Sequence, residues 1–205
     1  MPTMPGVIMR RVQGMGRGSV FTPSDFVDLG GRAALDQALS RLTRAGKIRR
    51  LARGVYDYPR INPLLGPISP TPDVVARALA RKTGSTVQVT GAQAANALGL
   101  STQVPAHTVY LTDGPSRRVV IGKRVITLRH TSPKHFVGAG STAGTVVQAL
   151  RYLGKDAAPS LADVVGHRLS PTDRRLLARG KTIAPGWMRP AIDRILHTHA
   201  RTTAL

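Results

Sequence analysis

Apolar residues recur every three or four positions between residues 32 and 45, which is the spacing of one face of an α-helix. The stripe consists of Leu35, Ala38, Leu39 and Leu42. Gly46 follows and suits the C′ position, at which many helices end. The pattern therefore predicts an amphipathic helix that buries this stripe and leaves its opposite face in solvent.

Two shorter segments precede this helix. Residues 7–13 are typical of a short helix that ends at a group of glycines, and residues 19–21 of a brief extended segment. A second helix is expected next, because Thr22 suits the N-cap, Pro23 the first helical position and Asp25 the acid of a capping box. Its inward-packing residues are predicted to be Phe26, Val27 and Leu29.

The residues after the amphipathic helix alternate with period two, as in β-strands. The two runs, residues 47–51 and 55–58, are separated by a turn at residues 52–54. Helix, helix, turn, helix and basic hairpin follow one another in the order of a winged helix-turn-helix domain. We therefore predict a DNA-binding domain of this type at residues 1–58.

Five prolines interrupt the periodicity at residues 59–72. Proline is incompatible with regular helix and with central strands, so two interpretations remain open. The segment is either a Pro-rich linker, partly extended, or a proline-rich arm packed on the rest of the chain. The residues that follow, 73–205, form the second predicted domain.

This second domain combines helices and strands. Helices are expected at residues 73–81 and 92–98, and strands at 86–90 and 107–111. A hairpin is expected at residues 118–128 around a Gly-first turn, and the pattern is helical from Thr142 onward. The predicted fold class is α+β, with an N-terminal winged helix-turn-helix domain joined by a Pro-rich linker to a larger mixed α+β domain.

Charge indicates the kind of partner. The chain has 30 Lys and Arg against ten acids, all of them Asp, which gives a formal net charge of +20. Such a field concentrates polyanions and makes binding depend strongly on salt. A GC-rich genome would also raise the arginine content, but it does not explain the shortage of acids. Aromatic residues, on which single-stranded RNA would stack, make up only 4% of the chain.

A recognition helix must bury one face and present the other to base edges. Opposite the leucine stripe, Gln37 suits adenine, whereas Arg41 and Arg44 suit guanine or phosphate. The basic hairpin would contact phosphates; the alternative is an ordinary solvated basic surface. The predicted DNA-binding residues are Arg32, Gln37, Ser40, Arg41, Arg44, Lys47, Arg49, Arg50 and Arg53.

The stretch FTPSDFVDLGGRAALDQALSRLTRAGKIRRLARGVYDYP resembles the N-terminal module of the AbiEi-type antitoxin family of bacterial type IV toxin–antitoxin systems. The matching features are the Ser-Asp-Phe helix start, the Ala-Leu-Ser-Arg-Leu helix around Ser40, the turn at residues 46–48 and the return at residues 53–56. The remainder resembles the family only loosely, through TGAQAANALGL.

The resemblance implies a head that binds and represses the operon's own promoter. It also implies a C-terminal domain that counteracts a nucleotidyltransferase-like toxin without forming a stable complex. The implied partners are thus double-stranded DNA and the toxin, with a homodimer on DNA left open. Two alternatives remain: neutralisation of the toxin by direct protein binding, and a general DNA-binding regulator outside any toxin system.

Features of an enzyme are weak. The aspartates are scattered singly, and the histidines lack a metal-ligand spacing with a third ligand. The glycine-rich residues 138–144 lack the Lys-Ser/Thr ending of a phosphate-binding P-loop. We therefore expect a protein that is not an enzyme, with no catalytic residue, no metal and no cofactor.

Two further basic clusters occur in the second domain, and one of them is predicted to extend the DNA footprint or to contact an acidic or RNA-bound partner. A scattered solvated surface is the alternative. The first cluster is Arg117, Arg118, Lys123, Arg124 and Arg129. The second is Arg168, Arg174, Arg175, Arg179 and Lys181.

The chain has no cysteine, no signal-like start and no run of eighteen apolar residues. These features favour a cytoplasmic protein with no membrane partner.

Overall fold

A computed structural model describes residues 3–102, 107–132, 136, 138–156 and 158–198; the outer ends of both predicted domains, residues 1–2 and 199–205, lie outside this range. The chain is a mixed α+β protein, as predicted. It divides into two compact units. The first contains the chain up to Ser85 together with Arg118–Ile126, and the second contains Thr86–Arg117 together with the residues from Thr127 onward. These limits differ from the predicted division at residues 59–72.

The first unit begins with helix α1, Met4–Met15, and a 3-10 helix, Pro23–Leu29. The capping box is present: the Thr22 amide donates to Asp25 Oδ2 at 2.7 Å. The expected second helix is thus a 3-10 helix, whose three residues per turn place Pro23, Phe26 and Leu29 on one face. Val27 lies off that face and is 68% exposed, so its predicted inward packing was wrong.

Helix α2, Arg32–Arg44, confirms the amphipathic pattern. All four residues of its apolar stripe are buried, from Leu39 at 0% exposure to Leu42 at 5%. They form one core with Ile8 and Val12 of α1 and with Phe21 and Phe26. Gly46 adopts a φ of +67°, the left-handed conformation expected of the residue that ends the helix.

Three short antiparallel strands complete this core. They are β1, Val20–Phe21; β2, Arg49–Ala52; and β3, Val55–Asp57, in the order β1-β3-β2. Tyr56 of β3 stacks on Phe21 with ring centroids 6.3 Å apart. The predicted hairpin therefore forms, with β2 at one edge of the sheet.

The proline-rich segment also forms a hairpin, β4 (Arg60–Asn62) and β5 (Gly66–Ile68). Pro67 is tolerated because each strand of a two-stranded ribbon has a free edge. Helix α3, Pro72–Arg81, follows and belongs to the first unit. Arg81 Nη2 donates to the carbonyl of Val20 at 2.8 Å, which ties α3 to β1.

The residues after α3 carry the other predicted elements. The mixed part comprises β6 (Val87–Val89), α4 (Gly91–Ala97), β7 (Thr108–Thr112), β8 (Arg117–Ile121) and β9 (Arg124–His130). The strand order is β6-β7-β9-β8, and Arg118–Ile126, which covers nearly all of β8 and the first residues of β9, is grouped with the first unit. The helical part comprises α5 (Thr142–Leu153), α6 (Ala158–Val165), α7 (Pro171–Gly180) and α8 (Arg189–His197), with 3-10 turns at Gly166–Arg168 and Gly186–Met188.

The helices of the second unit enclose their own core. Val146, Leu150, Leu161, Leu177 and Ile192 are all fully buried in it. Among the described residues, no helix has both the length and the apolar character that crossing a membrane requires.

Candidate nucleic-acid interface

The polar face of α2 is open to solvent. Gln37, Arg41 and Arg44 are exposed and Ser40 is half-buried, because the leucines on the other side are drawn into the core. Arg44 Nη2 donates to Ser40 Oγ at 3.2 Å. Within the described part of the chain, the side chains of Gln37 and Arg41 have no hydrogen-bond partner. This face therefore offers both donors and acceptors to a ligand.

Arg32 begins the same helix and pairs with Asp36 one turn later, with Nε to Oδ2 at 2.8 Å. The two side chains are 60% and 48% exposed. An exposed pair of this kind contributes little and is readily exchanged for another anion. Arg32 thus remains accessible at the first turn of α2.

The hairpin of β2 and β3 carries three further exposed cations. They are Lys47 before β2, Arg50 within it and Arg53 in the turn, where Gly54 adopts a φ of +70°. None of these three side chains has a protein partner among the residues that the structure describes. Their charges are available to an external anion.

Arg49 differs from the other predicted DNA-binding residues. Its Nε and Nη2 donate to the two carboxylate oxygens of Asp57 at 3.0 and 2.6 Å. The same guanidinium donates to the carbonyls of Pro67 at 3.3 Å and Ile68 at 2.7 Å. The hydrogen bonds to Asp57 raise the pKa of Arg49, although partial burial opposes the shift. Arg49 is among the predicted DNA contacts, but its guanidinium is engaged by hydrogen bonds within the fold.

The buried carboxylate of Asp57 explains this arrangement. Its side chain is only 1% exposed, and a buried carboxylate is costly unless it is paired and hydrogen-bonded. Asp57 is also the single acid between residues 37 and 72, a segment with seven Lys and Arg. Residues 37–72 therefore carry no exposed acid, and the acids that flank them, Asp36 and Asp73, are each paired with an arginine.

The two other basic clusters are differently placed. All five residues of the first cluster are exposed on β8, β9 or their turn. In the second, Arg174 donates to the carbonyls of Gly166 and Leu196, and Lys181 Nζ lies 2.6 Å from Asp193 Oδ1. These two residues hold helices together, whereas the remaining residues of the second cluster, Arg168, Arg175 and Arg179, are exposed.

A cavity of about 160 Å³ lies within the first unit, beside Lys123 and Arg124. Its other lining residues are mainly apolar, including Pro70, Val75 and Ile126. Sites for small-molecule ligands typically measure roughly 300–1,000 Å³, so this cavity does not point to a substrate pocket. Over the described ranges, no three His or Asp side chains are grouped so that they could hold a metal ion.

Two features of the structure were not predicted from the sequence. One is the internal role of Arg49, whose only signal was that a lone acid stands across the hairpin from it. The other is the β4–β5 hairpin, for which the Asn62-Pro63 turn dipeptide was the available signal.

The described fold is that of a mixed α+β protein. Its first unit exposes a basic face of α2 and, beside it along the chain, a basic hairpin. The chain belongs to DUF6088, a family of unknown function, which matches residues 7–167. No curated protein matches the sequence. Among solved structures, the RV2827C protein from Mycobacterium tuberculosis is similar at 21% identity, with a TM-score of 0.43 over 92% of this chain and 75% of that chain.

Proposed function

We propose that this protein is a DNA-binding transcriptional regulator without enzymatic activity, and that residues 1–58 are its winged helix-turn-helix domain. In this proposal α2 is the recognition helix and the β2–β3 hairpin is the wing. The proline-rich segment then joins the domain to the rest of the chain.

One observation carries this proposal. The exposed face of α2 and the adjoining hairpin present four cations without protein partners among the described residues, in a segment whose single acid is buried and neutralised; the four cations are Arg41, Lys47, Arg50 and Arg53. A helix about 10–12 Å wide fits the major groove, where Gln37 suits adenine and an arginine suits guanine. Lys47, Arg50 and Arg53 would then contact phosphates, which position the protein without reading sequence.

The proposal is tested with a duplex from the region upstream of the protein's own gene. Replacing Arg41 and Arg44 together by Ala should weaken binding to this duplex at least roughly 30-fold, since each bidentate base contact contributes about 1–3 kcal/mol. Fluorescence anisotropy at fixed salt provides the measurement. The double variant should also lose discrimination against a scrambled duplex.

A matched control removes the same charge elsewhere. Lys155 and Arg189 are exposed in the second unit, and replacing both by Ala should change affinity by less than about threefold. Equal losses in both double variants would show that net charge alone governs binding and would refute the recognition helix. Failure of the wild-type protein to bind any duplex would refute the function itself.

The antitoxin activity implied by the AbiEi resemblance remains a prediction, and we attach it to the second unit. If it is correct, co-expression should rescue cells from a neighbouring nucleotidyltransferase-like toxin, and the variant lacking Arg41 and Arg44 should rescue growth as well as wild type. Repression of the promoter should be lost in that variant. Isolation of a stable complex with the toxin would instead favour neutralisation by direct binding.

A further inference from the structure

The β4–β5 hairpin exposes an apolar tip. Its turn contains Pro63, Leu64 and Leu65, and the two leucines are 93% and 80% exposed. Ile61 and Ile68 on the two strands are 51% and 39% exposed. Because Ile61 pairs with Pro67 and Ile68 with Arg60, these two isoleucines lie on opposite faces of the ribbon. Single exposed apolar residues are ordinary, but two adjacent leucines that are almost fully exposed at the tip of one hairpin mark a contact surface.

The hairpin is held in a defined shape. Its strands pair in register from Arg60 opposite Ile68 to Asn62 opposite Gly66. In the turn, Asn62 Oδ1 accepts hydrogen bonds from the amides of Leu64 at 2.8 Å and Leu65 at 2.9 Å. The leucines are therefore presented by an ordered turn, which lowers the entropy lost when they bind.

The base of the hairpin is joined to the proposed wing. Arg49 of β2 binds Asp57 of β3 and, through the same guanidinium, the carbonyls of Pro67 and Ile68 of β5. Arg50, the next residue of β2 and one of the proposed phosphate contacts, points to the opposite face of that strand. A duplex held by the wing would thus be held by an element to which the apolar hairpin is directly bonded.

The positive charge around the hairpin tip indicates which kind of partner would bind there. The segment from residue 37 to residue 72 carries seven Lys and Arg against one acid, and that acid is buried. A second copy of this chain, with a net charge of +20, would be repelled. Duplex DNA combines a polyanionic exterior with apolar base-pair faces, so it complements both the cations and the leucines.

We propose that the hairpin tip is a wedge that enters the minor groove of the bound duplex and inserts Leu64 or Leu65 between neighbouring base pairs. This inference rests on the proposed DNA-binding function and adds a second contact to it. Apolar wedges of this kind unstack one base step and bend the duplex by about 20–90°. The bend would favour flexible pyrimidine–purine steps and so add sequence preference without hydrogen bonds to bases.

Replacement of both leucines by Ala tests the wedge. The end-to-end distance of a labelled duplex of about 30 base pairs is measured by energy transfer, and unstacking is measured by the fluorescence of 2-aminopurine placed along the site. Wild type should shorten the distance and brighten one 2-aminopurine position. The double variant should lose both signals and bind about 5- to 10-fold more weakly, with an unchanged salt dependence because no charge is removed.

Ile183→Ala is the control, since Ile183 is 59% exposed in the second unit and should leave all three readouts unchanged. The wedge would be overturned if wild type bound the duplex without bending it, or if the double variant bent it as much as wild type does. Either result would leave the regulator proposal intact. Absence of any duplex binding would overturn both. Two other outcomes with unchanged DNA bending in the double variant would also overturn the wedge. If the double variant no longer bound phosphatidylserine-containing vesicles, the tip would be assigned to a lipid surface. If it lost a dimer that wild type forms, the tip would be assigned to a second copy of the chain.

Discussion

Replacing Arg49 by Met should lower the free energy of unfolding by about 3 kcal/mol, whereas Arg50→Met, one position further along β2, should lower it by less than about 0.5 kcal/mol. The difference follows from the partners of the two residues. Removing Arg49 leaves the carboxylate of Asp57 buried and unpaired, while Arg50 is exposed and has no partner among the described residues. The value lies at the lower end of the range for broken buried pairs because the Arg49 side chain is 30% exposed.

Urea denaturation of the full chain provides the measurement, and a double variant tests the explanation. Replacing Asp57 by Leu in the Arg49→Met background removes the unpaired charge and should recover much of the lost stability. DNA binding separates the roles further, because folded Arg49→Met should keep more affinity than Arg50→Met. Full stability of Arg49→Met, combined with a large loss of affinity, would identify Arg49 as a DNA contact after all.

The second large effect is expected at the hairpin. Replacing Lys47, Arg50 and Arg53 together by Ala should reduce the slope of log K against log salt by about 2.7, which is 0.9 for each of the three proposed phosphate contacts. At about 0.1 M salt the affinity should fall by at least roughly 100-fold, for specific and scrambled duplexes alike. Titrations at four or more salt concentrations measure both quantities.

Two comparison variants make this test selective. Removal of the exposed cations Lys155, Arg189 and Arg194, which lie outside both basic clusters, matches the charge change and should leave the slope nearly unaltered. Removal of Arg117, Arg118 and Arg124 asks whether the β8–β9 cluster belongs to the footprint. A slope that is unchanged in the hairpin variant would eliminate the hairpin as the phosphate-binding element.

In the first unit, several structural features were predictable from residues that are close together in the sequence. The spacing of Leu35, Leu39 and Leu42 correctly predicted α2 and its buried face, because helical periodicity depends only on neighbours three or four residues apart. The same pattern predicted which side chains of α2 are exposed, and Gln37 and Arg41 confirm it. The capping signals at Thr22 and Asp25 were also local, although they did not distinguish a 3-10 helix from an α-helix.

Residues whose roles depend on distant partners were not predictable in this way. Arg49 and Arg50 are adjacent and chemically identical, yet one is bound by Asp57, Pro67 and Ile68 and the other is exposed. Alternation along a strand says that they point to opposite faces but not which face carries a buried acid. The sequence likewise did not determine the conformation of the proline-rich segment. Prolines exclude regular helices and central strands, but they do not indicate what a short two-stranded ribbon will pack against.

By itself, the sequence determined most helices and strands outside the proline-rich segment, the leucine face of α2, the mixed α+β class and the excess of positive charge that favours a polyanionic partner. These properties follow from periodicity, capping and composition, which are local or additive. Only the tertiary structure decided that Arg49 pairs with a buried carboxylate and that α3 belongs with the first unit. It alone also decided that Leu64 and Leu65 are exposed on an ordered hairpin. Each of these depends on contacts between residues far apart in the chain, and such contacts are set by the burial of the whole core.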